Sequence, residues 1–263
     1  MDHHQVEFRV LGPVTALQGE REIALKGAKQ RTMFAALLFQ SGQVVSDLRL
    51  GELLWGDRPP ATASAQIHTY ASRLRKQLAP AVTITRHHPG YLLEVVHGQI
   101  DLNLFESRVG FGHSALRLGR HEESVSWFRS ALRLWRGQAL SNVTEWLIQA
   151  ERPRLEEARL MALSARIDAE LALGLHSRLI SELVDLVFQY PLQEGFRAQL
   201  MIALDHEGCR EEALSVYQEG RRLLAEELGV DPSPTLRSVY QALLSSGSPE
   251  CPPFAVSHGA EVS

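Results

Sequence analysis

The sequence has few cysteines, no long apolar run and, in one stretch, no acidic residue. Only Cys209 and Cys251 occur among 263 residues, which excludes a disulfide scaffold and a cysteine-based metal cluster. No segment approaches about 18 uninterrupted apolar residues, and the first residues lack the basic and apolar regions of a signal peptide. We therefore expect a cytoplasmic protein with reduced thiols and no membrane partner.

Acidic residues are absent from residues 61–91, which contain four Lys or Arg residues. Residues 1–97 carry 11 Lys or Arg against 8 Asp or Glu, whereas residues 98–263 carry 16 against 23. A basic run on a helix is also typical of an ordinary solvated face. In a chain of net charge -4, however, so long a stretch without an acid favours a nucleic-acid surface, and the acidic remainder favours a protein-binding one.

The acid-free stretch predicts an amphipathic helix that ends near residue 78. Its buried stripe, at the three-and-four spacing of a helix, is Ile67, Tyr70, Ala71, Leu74 and Leu78. The outward residues are Ala65, His68, Thr69, Ser72, Arg73, Arg75 and Lys76. This outward face is small in its middle and basic at its edges. Short side chains allow close approach to a DNA major groove, and arginines reach guanine edges or phosphates. The pattern therefore predicts a DNA recognition helix.

Strand and turn signals surround this helix. Residues 82–86 and 90–95 alternate around a Pro-Gly turn, which predicts a β-hairpin and thus a helix-plus-wing unit. Upstream, the pattern predicts a small antiparallel sheet within residues 6–25, a helix over 28–40, a short strand over 44–46 and a second helix that ends at Trp55. The Pro-rich segment 56–60 then forms a loop before the recognition helix.

After about residue 98 the pattern is continuously helical, without a convincing strand. Residues 119–128 and 208–217 repeat one pattern: Gly, two spacers, Glu-Glu, a small residue, an aliphatic residue, Ser, a spacer and an aromatic. Gly174 precedes Gly208 by 34 residues, which is the tetratricopeptide period. An Ala-Leu-rich bundle can produce such spacings by chance, but three imperfect tetratricopeptide-like repeats explain them better. In such a repeat the glycine permits a tight turn and the aromatic packs on the next helix.

Catalytic and metal-binding patterns are weak. His3-His4 and His87-His88 each lack a third ligand at helical or hairpin spacing. Asp205-His206-Glu207 stands at a predicted helix end, and nothing near it in the sequence supplies a nucleophile. Phosphate-loop and dinucleotide-binding motifs are missing from the sequence. We expect no enzymatic activity, no cofactor and no metal site.

Five motifs together resemble the Streptomyces antibiotic regulatory protein family. They are Gly27–Arg31, Leu53–Pro60, Tyr70–Arg75, Pro89–Tyr91 and Glu226–Ser233, in the order found in that family. The resemblance implies a mostly α fold with a small β component. It consists of an OmpR-type winged helix over residues 1–97 and a tetratricopeptide-like bacterial transcriptional activation domain over 98–244. Residues 245–263 are polar and Pro-rich, which predicts a disordered tail.

The same resemblance implies roles for individual residues. Thr69, Arg73 and Arg75 correspond to positions that read bases, and Ser72 and Lys76 to positions beside the DNA backbone. The implied wing and phosphate-contact residues are Thr85, Arg86, His87 and Tyr91 in the wing, and Lys29, Gln30, Arg31 and Ser64 as phosphate contacts, the first three at a helix N-terminus. Asp57 and Arg58 lie in the loop that touches RNA polymerase in this fold class. The family often has Asn where Ala65 stands and Gln or Arg where His68 stands, so base preference does not transfer.

Two functions from different classes fit the sequence. The first is a DNA-binding activator that occupies direct repeats at promoters of an antibiotic biosynthetic cluster, as a homodimer or head-to-tail pair, and recruits RNA polymerase holoenzyme through its sigma and core subunits. The second is a tetratricopeptide-type scaffold in which the winged helix has no DNA role. A third, an enzyme, would require a pocket of perturbed titratable groups.

Overall fold

The computed structural model describes residues 6–245, which contain seven strands and ten helices. The strands are β1 (Val6–Arg9), β2 (Thr15–Gln18), β3 (Arg21–Glu22), β4 (Val44–Ser46), β5 (Val82–His87), β6 (Gly90–Val95) and β7 (Gly98–Ile100). The helices are α1 (Ala28–Phe39), α2 (Asp47–Trp55), α3 (Ala63–Leu78), α4 (Asp101–Arg117), α5 (His121–Leu132), α6 (Glu145–Ala172), α7 (His176–Gln189), α8 (Glu194–His206), α9 (Arg210–Leu228) and α10 (Pro234–Ser245). The predicted class, mostly α with a small β component, is confirmed. Except for Ser245, the predicted disordered tail lies outside the described residues, as do His3-His4 and Cys251.

The first sheet has the strand order β3-β2-β1-β7. Strands β1 and β2 are antiparallel, as their alternating pattern predicts, and Phe8 points into the core, where its ring meets Phe34 edge-on at 5.6 Å between centroids. Strand β7 pairs with β1 in parallel. The sequence does not predict this strand, because residues 98–100 lie where the pattern turns continuously helical.

Three helices and a second sheet complete the winged helix. Helix α1 is buried from Thr32 to Leu38, so it forms the centre against which α2 and α3 pack. Ser46 is the N-cap of helix α2, and its side chain accepts a hydrogen bond from the Arg49 amide at 3.1 Å. The second sheet has the order β4-β6-β5, and β5 and β6 form the predicted hairpin.

The remaining elements are the helices α4 to α10. Gly119, Gly174 and Gly208 each lie between two helices and have φ values of +69°, +76° and +83°, a conformation that glycine adopts without strain. The repeat therefore marks its turns as predicted. Its aromatic position behaves differently in two repeats. Tyr217 stacks on Tyr240 of the next helix, but Phe128 packs back against Gly112 of α4.

The chain divides into two compact units. One contains residues up to Leu118 together with Ser126–Leu163, and the other contains Gly119–Val125 together with residues from Ser164 onward. The predicted boundary after residue 97 thus lies inside the first unit. Long-range hydrogen bonds from α4 and from the α5–α6 connection (residues 133–144) explain why.

The Asp101 carboxylate, at the start of α4, is the first of these links. It is buried and accepts hydrogen bonds from the Val10 and Leu11 amides at 2.9 and 3.2 Å. Arg136 of the α5–α6 connection donates to the same carboxylate at 2.5 Å, and the Arg136 amide donates to the Leu11 carbonyl at 2.8 Å. Burial raises the pKa of Asp101, while the bonds from Val10, Leu11 and Arg136 oppose that rise.

Asn142 and Thr144 form the second link. The Asn142 side chain bonds both the amide and the carbonyl of Val14, at 2.8 and 3.2 Å. The Thr144 hydroxyl donates to the Leu53 carbonyl at 2.6 Å, and the Thr144 amide donates to the Thr32 hydroxyl at 2.9 Å. The α5–α6 connection therefore joins the first sheet, α1 and α2 in one core.

Candidate nucleic-acid interface

Helix α3 has two distinct faces. Its buried residues are Ile67, Ala71, Leu74 and Leu78, with Tyr70 half-buried. Its exposed residues include every predicted DNA-contact position: Ser64, Ala65, His68, Thr69, Ser72, Arg73, Arg75 and Lys76. The predicted stripe and its orientation are confirmed. The individual base and phosphate contacts remain predictions.

The exposed side chains of α3 differ in how firmly they are held. Arg75 donates from Nε to the Ile84 carbonyl at 2.8 Å, so this predicted base-reading residue also ties α3 to strand β5. The Thr69 hydroxyl donates to the Ala65 carbonyl at 2.9 Å, one turn earlier. Within residues 6–245 no hydrogen bond or ion pair holds the side chain of Arg73 or Lys76. These two cations are therefore the most available to a ligand.

The wing is the β5–β6 hairpin. Thr85, His87 and His88 are exposed near its tip. Arg86 makes two hydrogen bonds to the Asp47 carboxylate, both at 2.6 Å, and lies 4.7 Å from the centre of the Tyr91 ring. The bonds to Asp47 raise the pKa of the Arg86 guanidinium above its ordinary value.

Tyr91 itself is 3% exposed. Its place in the wing is as predicted, but its ring is buried and supports Arg86, so it cannot reach DNA in this conformation. Arg86 remains partly accessible, with 46% of its side chain exposed.

Gly90, next to the turn of the wing, fixes where the wing meets β4. A Cβ atom at this position would overlap the Val45 carbonyl oxygen, because β4 approaches β6 closely along the register Val45–Tyr91. Only glycine permits this approach. The wing is therefore attached to the strand that precedes α2, and α2 in turn packs on α3.

The predicted phosphate site at the start of α1 is only partly exposed. The Gln30 side chain is 1% exposed and bonds to Gln77, so it offers no side-chain contact in this conformation, and a phosphate held by the N-terminal groups of α1 stays a prediction. Arg31 donates to the Asn142 and Leu25 carbonyls at 2.7 and 3.0 Å. Lys29 is half-buried, with its ammonium 5.1 Å from the centre of the Trp55 ring. Of these three side chains, Lys29 retains the greatest freedom to bind an anion.

The loop after α2 holds Asp57 and Arg58 on the surface. Both side chains are exposed, as is Pro59. Gly56 ends α2 with a φ of +63°, and a Cβ atom there would overlap the ring of Trp146 on α6. The first residue of the loop, Gly56, therefore packs against Trp146, and the next two residues, Asp57 and Arg58, carry exposed charges.

Comparisons with known proteins agree with this geometry. The family model of the bacterial transcriptional activator domain matches residues 100–244. Regulatory protein DnrI of Streptomyces peucetius is 35% identical over 250 residues, which cover 91% of this chain and 92% of DnrI. The chain belongs to the Streptomyces antibiotic regulatory protein family.

Two further relatives of this family member are informative. Regulatory protein AfsR of Streptomyces coelicolor is 39% identical over 242 residues, which cover 92% of this chain but only 24% of AfsR. This chain therefore spans about a quarter of AfsR. The solved structure of Mycobacterium tuberculosis EmbR in complex with a low affinity phosphopeptide superimposes with a TM-score of 0.86 at 32% identity, over 91% of this chain and 65% of that one.

The comparisons confirm an OmpR-type winged helix joined to a helical domain that matches the bacterial transcriptional activator domain, and relatives such as EmbR are named as transcriptional regulatory proteins. The related proteins are named as regulatory proteins rather than as enzymes. No helix within residues 6–245 has both the length and the hydropathy that a bilayer crossing requires.

Sequence reasoning about this family member missed the residues that hold α3 and the wing in place. Asn142 and Thr144 lie 128 and 112 positions from Val14 and Thr32, and Asp47 lies 39 positions from Arg86. No local periodicity connects such pairs. The one local sign of these contacts is the polar Asn-Val-Thr sequence before α6, but such a sequence looks like an ordinary helix cap and does not indicate long-range hydrogen bonds.

Proposed function

We propose that this chain binds promoter DNA sequence-specifically through α3 and the wing, and activates transcription of an antibiotic biosynthetic cluster. The observation that carries the proposal is the exposed face of α3, which has three cations, short side chains at its centre and no acid. Such a face fits the major groove, which is about 12 Å wide and admits one helix.

Within that face, two residues have separate roles. Arg73 is exposed and unbound by other side chains, so its guanidinium is able to make a bidentate contact to the O6 and N7 atoms of guanine. Lys76 lies one turn closer to the C-terminal end of α3, where an ammonium neutralises a phosphate without reading sequence. Arg75 is less free to contact DNA, because its Nε already donates a hydrogen bond to the Ile84 carbonyl in strand β5 of the wing.

The wing supplies a second contact on the same side. Thr85 and His87 are exposed on β5, and Arg86 is held by Asp47 with part of its guanidinium still exposed. A fixed arginine loses little conformational entropy when it meets a phosphate. We place Thr85, Arg86 and His87 along the neighbouring DNA backbone.

Recruitment of RNA polymerase is the second part of the proposal. The loop with Asp57 and Arg58 offers charges of both signs beside the helix that binds DNA, and a sigma or core subunit of the holoenzyme is its partner. Two copies of the chain then occupy direct repeats as a head-to-tail pair, so that a linked second contact raises the apparent affinity of each copy.

Replacement of Arg73 tests sequence reading. Arg73→Ala is expected to lower the ratio of specific to nonspecific DNA affinity by about 5- to 150-fold, since a bidentate base contact is worth about 1 to 3 kcal/mol of discrimination. Lys76→Ala is expected to weaken all sequences alike and to reduce the slope of log K against log salt by about 1. The specificity ratio comes from competition binding on a site selected from a random duplex library, and the slope comes from the same assay at several salt concentrations.

Arg154→Ala is the matched control, because Arg154 is an exposed arginine on α6 with only an i, i+3 partner, Glu151. An unchanged specificity ratio in Arg73→Ala would remove α3 from base reading. Absence of any salt-sensitive DNA binding by the intact chain would favour the alternative function, a tetratricopeptide-type scaffold. The exposed Phe188 of α7, at 89% exposure, is the surface feature that would then be examined first.

A further inference from the structure

Two histidines meet at one end of the α7–α8 pair. His176 is the first residue of α7, His206 is the last residue of α8, and Glu207 follows it. The helices are antiparallel neighbours joined by a short turn after Gln189, so the start of one lies beside the end of the other. The two imidazole rings stack with centroids 3.6 Å apart and planes 11° apart.

The three side chains present a compact set of donor atoms. One ligand atom from each of His176, His206 and Glu207 lies within 4.8 Å of the others. His176 is 6% exposed, and its Nδ1 atom is buried without a hydrogen-bond partner among the described residues. A buried nitrogen without a partner is costly unless something else satisfies it. Burial, and then the neighbouring His206, lower the pKa of His176, while Glu207 opposes that shift.

We propose that His176, His206 and Glu207 form a binding site for a divalent transition-metal ion, principally Zn²⁺. Two imidazole nitrogens and one carboxylate oxygen are a donor set that zinc uses, with the fourth position left to water. Magnesium and calcium prefer oxygen ligands, so the two imidazoles select against them. The site lies within the second compact unit, and it does not depend on the DNA-binding proposal.

The site requires only side-chain movement to accept the ion. Tetrahedral zinc with Zn–N bonds of about 2.0 to 2.1 Å holds its ligand atoms roughly 3.3 Å apart, and the rings must tilt from their stack so that both lone pairs face the ion. His206 and Glu207 are exposed and free to rotate, whereas His176 is fixed by burial. A surface cavity of about 390 Å³ beside His206 gives its ring room to turn.

The surrounding charges favour a cation. Glu207 contributes a negative charge, and Asp205 is paired with Arg210 at 3.0 Å, which leaves those two nearly neutral together. The C-terminal end of α8 adds the negative end of a helix dipole at His206. The start of α7 acts in the opposite sense at His176, so the carboxylate of Glu207 decides the balance.

The repeat supplies a matched control. His121 and His176 each stand two residues after a repeat glycine and begin a helix, and both have a buried, unpartnered Nδ1. His121 belongs to no group of three metal-ligand side chains within residues 6–245. His121→Ala therefore removes a histidine at the same repeat position without touching the proposed site.

The test uses the full chain without an affinity tag. Competition with a chromophoric zinc chelator measures stoichiometry and Kd, and thermal unfolding is followed with and without Zn²⁺. We expect one Zn²⁺ per chain and a Tm raised by about 5 to 10 °C when free Zn²⁺ is a hundredfold above Kd. His206→Ala and His176→Ala should each weaken binding at least about tenfold, because loss of a ligand exceeds the effect of losing a ligand's hydrogen-bond partner. His121→Ala should stay within about twofold.

Three results would overturn the proposal: no stoichiometric zinc in the intact chain, an unchanged Kd in His206→Ala, or an equal loss in His121→Ala. His206 is exposed, so its replacement is expected to leave the fold intact even where His176→Ala does not, and circular dichroism checks this. Cobalt substitution gives an independent readout, since the intensity of its visible absorption should fall in His206→Ala and persist in His121→Ala.

Discussion

A fragment of residues 1–97 is expected to be unfolded, whereas a fragment of residues 1–163 is expected to fold. The shorter fragment ends before β7 and before Asp101, so the Val10 and Leu11 amides lose their buried acceptor. It also lacks the α5–α6 connection, whose Asn142 and Thr144 bond the first sheet and α2. This expectation reverses the one that the sequence suggests, in which residues 1–97 form a self-sufficient domain.

The summed free energy of the lost hydrogen bonds favours unfolding of the 1–97 fragment. Each lost hydrogen bond costs about 1 kcal/mol net, and more where a buried group is left unpaired. The bonds from Asp101, Arg136, Asn142 and Thr144 together are on the order of 5 to 10 kcal/mol, which is comparable with the whole stability of a small domain. The longer fragment retains all of them. Far-UV circular dichroism and amide NMR dispersion distinguish the two states, and native-like dispersion in the 1–97 fragment would refute the expectation.

A single substitution tests the same link in the full chain. Asp101→Ala is expected to lower the free energy of unfolding by about 3 kcal/mol, because it leaves two buried amides and the Arg136 guanidinium without their acceptor. Asn103→Ala is the control, since Asn103 is exposed on the same helix. Urea unfolding of the intact variants gives both values. A loss of less than about 1 kcal/mol in Asp101→Ala would show that the link is marginal.

The elements of this fold that have a local sequence signal could be predicted. The stripe from Ile67 to Leu78 repeats every three or four residues, and the alternation on either side of Pro89-Gly90 is a local hairpin signal. The repeat glycines mark turns for the same reason, because their φ values are positive and a side chain would be strained there. Each of these signals lies within a dozen residues.

The remainder depends on contacts between distant residues. Sequence places Arg75 and Arg86 on exposed surfaces, but it does not show that one bonds Ile84 and the other bonds Asp47. The burial of the Gln30 side chain was not predictable for the same reason, since it depends on how α1 meets α3. His176 and His206 are likewise 30 positions apart, and only the antiparallel α7–α8 pair brings them together.

Activation, as distinct from DNA binding, is expected to depend on Asp57 and Arg58. Both side chains are exposed in a loop that contains two prolines and begins at Gly56, which lies against Trp146. A stiff, supported loop loses little entropy when it docks on a second protein, and adjacent charges of both signs suit a polar protein surface. The loop precedes α3 and contributes no residue to its exposed face, so DNA contacts should survive its alteration.

The double variant Asp57→Ala/Arg58→Ala is therefore expected to bind its operator with a Kd within about twofold of the unaltered chain, a change below roughly 0.5 kcal/mol. Transcription from a promoter reconstituted with RNA polymerase holoenzyme should fall at least about tenfold, which corresponds to a lost contact of about 1.4 kcal/mol. Glu20→Ala/Arg21→Ala removes an equally exposed acidic and basic residue where the β2–β3 turn enters β3, in the same unit, and should leave both quantities unchanged. If transcription persists in the Asp57/Arg58 variant while binding is intact, the polymerase contact lies outside this loop, and the acidic helical segment after residue 98 becomes the surface to scan.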